Sequence, residues 1–217
     1  MRLCLFIFCS IALPLVVSGQ SATPLVTQEM LTQLKNSYSS DAYRRGQALN
    51  QLLAELQNES IDTQLKEVNR FFNQFHYRED IDLWGVRDYW ETPQEFIGTN
   101  QGDCEDFVVA KYFSLRKLGV PDNRLYLTYV KALNQNIAHM VLSYFKTPTS
   151  IPLVLDNYNP RILEASKRKD LLPVYSFNAN SLFLSNASAG LGKSLPTDKI
   201  KNSKWQKLLS DIKKEKR

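Results

Sequence analysis

Cys104 sits in the run Gly102-Asp103-Cys104-Glu105-Asp106, a thiol enclosed by three carboxylates. Cys4 and Cys9 fall inside an apolar leader and are expected to leave with it, so Cys104 is the one cysteine of the mature chain. A lone thiol in an exported protein has no partner for an internal disulfide. It is then either a buried small side chain or a reactive group. Phe107, Val108, Ala110, Tyr112, Leu115 and Leu118 predict a helix over residues 104–118, stopped by Gly119 with Pro121 behind it. That helix puts the sulfur on its first turn. Free amides and the helix dipole stabilise a thiolate there and offer donors to a developing oxyanion. The chemistry this suits is attack on a carbonyl.

A nucleophilic thiol needs a base, and the chain has two histidines. His139 lies on a predicted strand, residues 138–145, whose alternation puts His139, Val141 and Ser143 on one face and Met140, Leu142 and Tyr144 on the other. His76 competes, but it precedes the cysteine in an irregular region beside Tyr77 and Arg78. A catalytic imidazole also needs an orienting acceptor. Asp156 ends the apolar strand Pro152-Leu153-Val154-Leu155, where a carboxylate costs burial energy unless a partner holds it; with Asn157 it is also good turn chemistry. Helix-start cysteine, mid-strand histidine and strand-end aspartate together point to a Cys-His-Asp triad. That reading requires the three groups to converge into one hydrogen-bonded line at the mouth of a cleft.

The acids work against the thiolate, because nearby negative charge raises a thiol pKa. A bound cation would resolve the conflict, and hard carboxylate oxygens suit Ca²⁺ better than Zn²⁺. The candidate ligands are Asp103 and Glu105, with Asp106 and an acid of the upstream loop, Asp82 or Asp88, as further candidates. The spacing is not that of an EF-hand loop.

The elements that must position these groups read as helices first and strands after. Leu49, Leu52, Leu53 and Leu56 form one apolar stripe, and Leu65, Val68, Phe72 and Phe75 nearly form another. Residues 25–38 predict an earlier helix. From 76 to 102 the aromatics and turn formers have no period and predict a long loop with one short helical turn. After the cysteine helix the period becomes two: strands over 124–131, 138–145 and 152–156, a further pair over 174–177 and 182–184, and a closing amphipathic helix around Trp205, Leu208, Leu209 and Ile212. The expected class is α+β, N-terminal helices packed with an antiparallel sheet, in a single domain over residues 20–217.

Residues 1–19 have the layout of a secretory signal: Arg2, an apolar run over 3–17, then small residues. This points to a periplasmic protein, with an uncleaved N-terminal anchor as the alternative. The chain carries 27 Lys and Arg against 22 Asp and Glu, net +5; without the leader the balance is 26 against 22, net +4. Much of the excess lies in residues 199–217, a solvated basic helix that suits an acidic partner or an anionic membrane surface. An exported chain with no aromatic-basic motif argues against nucleic acid.

The block Gly102-Asp103-Cys104-Glu105-Asp106-Phe107, with Ala138-His139-Met140-Val141, Val154-Leu155-Asp156-Asn157-Tyr158 and Asp170-Leu171-Leu172-Pro173 downstream, resembles the bacterial transglutaminase-like cysteine proteases, specifically the LapG-type periplasmic proteases. The resemblance runs over about residues 82–178. It implies a papain/transglutaminase-like fold, with Cys104 as nucleophile, His139 as general base and acid, Asp156 as orienter, and Ca²⁺ on Asp103 and Glu105. It further implies cleavage of the N-terminal region of a large surface adhesin, controlling biofilm release. The implied partner is an inner-membrane LapD-type receptor that responds to cyclic di-GMP. Two other readings use the same residues: transglutaminase-type acyl transfer, and a non-catalytic calcium-dependent binding module.

Overall fold

The computed structural model describes residues 25–185, 191–195 and 203–215. The expected signal segment, residues 1–19 with Cys4 and Cys9, lies outside the described residues. Among those described, no helix is long and apolar enough to cross a membrane.

The N-terminal part is helical, as its stripes require. Helix α1 (Gln28–Gln33) runs into a π-turn (Leu34–Tyr38), so the helix expected over 25–38 is present but changes pitch. Helices α2 (Ser40–Leu56) and α3 (Ile61–Phe72) start where Ser39 and Ser60 accept hydrogen bonds from the amides of Ala42 and Thr63. Their stripes are buried: Leu49, Leu53 and Leu56 on α2, and Leu65, Val68 and Phe72 on α3.

The stretch expected to be loop contains more structure than its lack of period suggested. A two-residue strand β1 (His76–Tyr77) is followed by the short helices α4 (Asp80–Leu83) and α5 (Pro93–Thr99). Thr92 and Glu95 form a reciprocal capping box around Pro93, and this fixes the start of α5. Asn100, in the left-handed region at φ 58°, then turns the chain into β2 (Gln101–Gly102), which pairs in parallel with β1. Gly102 has no room for a side chain: a Cβ there would stand 2.6 Å from Asp106 Oδ2 and 2.9 Å from the Phe96 ring.

The cysteine helix, α6 (Cys104–Lys117), starts on a second capping box. Asp103 accepts from the Glu105 amide and Asp106 reaches back to the Asp103 amide. A seven-stranded sheet follows: β3 (Leu125–Ala132), β4 (Ile137–Tyr144), β5 (Leu153–Leu155), β6 (Leu163–Glu164), β7 (Leu171–Phe177), β8 (Leu182–Ser185) and β9 (Leu191–Leu195), every pairing antiparallel. The spatial order is β6-β5-β4-β3-β7-β8-β9. The faces of β4 are as the alternation predicts: Met140, Leu142 and Tyr144 join the main core with the helices, and Val141 joins a smaller cluster with Val130 and Val154. The final helix α7 (Ser203–Glu215) returns Trp205 to that core, fully buried against Tyr112, Phe113 and Phe177.

Phe96 of α5 sets the base of α6, the helix that Cys104 starts. Its ring centroid lies 4.9 Å from that of Phe107 on α6, 4.8 Å from Phe75 and 6.1 Å from Phe72, and the residue is fully buried. Truncating it to alanine should cost about 3–5 kcal/mol, read as a shift in the midpoint of urea unfolding with the m-value unchanged.

Candidate active site

The geometry starts at the end of β5. This strand stops at Leu155, paired with Leu142, so the next stretch of β4 has no β5 residue beside it. Asp156 turns in at that point. Its Oδ1 lies 2.8 Å from His139 Nε2 and also accepts from the Tyr158 amide at 3.0 Å; its Oδ2 accepts from Arg168 Nη2 at 2.7 Å. All three side chains, His139, Asp156 and Arg168, are buried. The Tyr158 ring lies flat on the imidazole, centroids 4.1 Å apart and planes 9° from parallel. His139 Nδ1 is buried and has no hydrogen-bond partner. With the Nε2 proton donated to Asp156, Nδ1 carries the free lone pair.

Burial alone would raise the Asp156 carboxyl. The His139 bond and charge, the Tyr158 amide and Arg168 outweigh it and hold the group at about 2. His76, the competing histidine, is exposed on β1. The structure therefore joins His139, and not His76, to Asp156.

Cys104, partly buried at the start of α6, lies next to β4, where the Met140 amide, adjacent in sequence to His139, favours the thiolate. The hydrogen-bonded line expected from the sequence is nonetheless formed on one side alone. The thiol bonds Glu105 Oε2 at 3.1 Å, and the imidazole nitrogen that would receive its proton is unpaired. Burial, then the charges of Glu105 and Asp103, push the Cys104 thiol well above its usual range, with the Met140 amide opposing them. Burial and the carboxylates together favour the protonated sulfur.

The acids gather more tightly than the sequence indicated. Ligand atoms of Asp103, Cys104 and Glu105, and of Asp80, Asp103 and Asp106, approach one another within 4.8 Å in each group. Burial and then the Glu105 charge raise Asp103 to about 9; burial lifts Glu91 to about 8 and Asp80 to about 6. Asp106 accepts from the Glu91 amide at 2.8 Å and the Asp103 amide at 2.9 Å, so it caps α6 while gathering with Asp80 and Asp103. Among the described residues, the upstream acid that gathers with Asp103 and Asp106 is Asp80; Asp82 and Asp88 are in neither group. Asp80 Oδ2 accepts from the Tyr89 amide at 2.5 Å, and its Oδ1 is buried without a partner. Asp88 instead pairs with Lys204 and accepts from Trp90 Nε1 at 3.2 Å. An orphaned buried carboxylate oxygen beside Asp103, in a cluster of like charges, fits a hard divalent cation.

Residues 37–170 match the model of the bacterial transglutaminase-like cysteine proteinases. The chain belongs to that family. Among solved structures it is similar to Legionella pneumophila LapG, with 42% identity over 87% of this chain and 99% of that one, TM-score 0.72. An EGTA-treated form of that protein aligns at 43% identity, covering 87% and 99%, TM-score 0.73. A calcium-bound form aligns at 43%, covering 85% and 98%, TM-score 0.71. No curated protein matches. The mixed helix and antiparallel sheet architecture is thus the transglutaminase-like fold, and the chain is a LapG-type cysteine proteinase by family.

Arg168, Tyr158 and Asp80 were not singled out by sequence reasoning. Arg168 stands in the run Lys167-Arg168-Lys169, which reads as solvated surface, and Asp80 is one of three acids in Glu79-Asp80-Ile81-Asp82. Tyr158 follows turn residues.

A folded-state value of about 2 for Asp156, below the usual carboxylate value near 4, means that the ionised form favours the fold. Its contribution, roughly 2–3 kcal/mol, is complete above about pH 4 and is lost as the pH falls through about 2. Asp156→Asn should remove about that much stability at neutral pH and flatten the loss below pH 4, checked by urea unfolding at several pH values.

Proposed function

We propose that this chain is a calcium-dependent periplasmic cysteine endopeptidase in which Cys104 is the nucleophile, His139 the general base and acid, and Asp156 its orienter. The observation that carries the reading is His139 itself. It is bonded to a buried carboxylate through Nε2, bare at Nδ1, and next in sequence to Met140, whose amide favours the Cys104 thiolate.

In this mechanism Nδ1 takes the thiol proton as sulfur attacks the scissile carbonyl carbon. The C=O π pair moves onto oxygen, where amides at the start of α6 stabilise it. Collapse breaks the C–N bond, and Nδ1–H protonates the leaving amine to give a thioester. Nδ1 then takes a proton from water as it adds to the thioester, and the sulfur leaves as the acid is released. Asp156 holds the Nε2 proton throughout and favours the imidazolium. Arg168 keeps the second oxygen of Asp156 occupied, so the carboxylate does not turn away from the ring. Asp103 and Glu105, with Asp80, would hold Ca²⁺. Held there, Ca²⁺ would offset the negative charge that, with burial, keeps the thiol protonated, while Glu105 now accepts from that thiol. The calcium-bound Legionella relative supports this assignment.

The family likeness supports the remaining parts of the proposal: a substrate that is the N-terminal region of a large surface adhesin, a role in biofilm release, and an inner-membrane LapD-type cyclic-di-GMP receptor as partner. Export rests on the layout of residues 1–19.

The test is incubation of the mature chain with candidate adhesin N-terminal segments, in calcium and in EGTA. Cleavage should appear with calcium, disappear with EGTA and be absent in Cys104→Ala; cleavage by that variant would overturn the assignment. Ammonia release without cleavage would favour acyl transfer instead. Calcium should also raise the melting temperature, by about 2.7 kcal/mol of added stability at one hundred times its Kd. An unchanged melting temperature would remove the calcium site.

A further inference from the structure

Lys111 is a buried charge that the mechanism above does not use. It lies on α6 about two turns beyond Cys104 and is fully buried. Its Nζ stands 5.7 Å from the centroid of the Phe107 ring and donates to Asn73 Oδ1 at 2.7 Å. Its acceptor is thus a neutral amide. Burial pushes the ammonium down to about 7, with the Asp156 charge opposing. An apolar side chain of similar length would fill the space without the desolvation cost. Stability alone therefore does not account for a lysine here.

What lies beyond Asn73 supplies the reason. Asn73 closes α3, and its Nδ2 donates to the backbone oxygen of Asp156 at 2.8 Å. Asn69, one turn earlier on the same face, donates to the backbone oxygen of Pro160 at 3.0 Å. The two amides fasten both ends of the segment 156–160. That segment carries the two groups that hold the imidazole, the Asp156 carboxylate at Nε2 and the Tyr158 ring on its face.

We propose that Lys111 and Asn73 are positioning residues for His139: the buried amine fixes and polarises the Asn73 amide, which holds the 156–160 turn and with it both partners of the imidazole. The inference rests on the triad reading given above. A carbonyl that accepts from an ammonium makes its own N–H a stronger donor, so the two hydrogen bonds reinforce each other. Neither residue touches the reacting atoms. Their effect is on the orientation of the ring, where small displacements are expensive in rate.

The experiment compares the full chain with Lys111→Met, Asn73→Ala and the double variant, all with calcium present. One readout is peptide cleavage. The other is the downfield proton resonance of the His139 Nε2–H. Each single variant should lower kcat about tenfold while KM stays within about twofold. The double should be no worse than the weaker single, as expected for two parts of one relay. The resonance should shift or broaden in all three. A lysine that merely fills space would leave kcat and the resonance of the folded protein unchanged, and that result overturns the proposal, as does full additivity of the singles. If Lys111→Met does not fold, Asn73→Ala reads the same relay from its other end under the same criteria. If the wild-type chain cleaves nothing, the triad reading fails on that ground; the resonance still decides whether Lys111 holds the His139–Asp156 pair.

Discussion

The site depends on a buried carboxylate that cannot be left unpaired. Asp156 has lost its water, and its four contacts replace it: the imidazole and the Tyr158 amide on one oxygen, the Arg168 guanidinium on the other, and the Asn73 amide on its backbone oxygen. Removing any one partner leaves charge or a polar atom stranded in low dielectric, which is far costlier than the net gain of a typical surface pair. The imidazole is therefore oriented by the same interactions that make the fold tolerate Asp156 at all. Local stability and the orientation of the imidazole are, at this residue, one requirement.

The other half of the site works in the opposite sense. The N-terminus of α6 favours negative charge, and the sequence supplies it in excess: Asp103, Glu105 and Asp106 within one turn, with Asp80 and Glu91 brought in from the preceding segment. Asp106 is absorbed as a cap, but Asp103 and Asp80 are held at raised pKa values and Glu105 accepts from the thiol. A helix start that would activate a thiolate is thus opposed first by burial and then by its own carboxylates, and neutralising those carboxylates removes the second of the two. This is a physical basis for a protease that is inert until a cation binds.

Much of this was legible in the chain. Period-two alternation placed Met140 and His139 on opposite faces of β4, and an aspartate closing an apolar strand signalled a buried acceptor. The unread parts share a cause: their partners are distant in sequence. Arg168 looks like surface in a basic run, and the Asn69 and Asn73 amides look like solvent-facing helix positions until the 156–160 turn comes to rest on them. The stretch 76–102 was expected to hold one short helical turn and holds two short helices; Thr92-Pro93-Gln94-Glu95 spells the capping box of α5, but seven residues are too few to show a period. Strand β7 extends through Pro173, which ordinarily argues against a strand; the register slips there, Tyr129 facing Tyr175 and Val130 facing Pro173, so that Val174 is an extra residue on β7 beside the proline.

The central claim is that the Cys104 sulfur and the His139 imidazole act as one unit. The rate of iodoacetamide alkylation of Cys104 at neutral pH, measured in calcium for the wild type and for His139→Ala, tests it without any substrate. The account predicts ready alkylation that falls steeply when the imidazole is removed. Equal rates in the two proteins would show that the sulfur titrates alone and would contradict it.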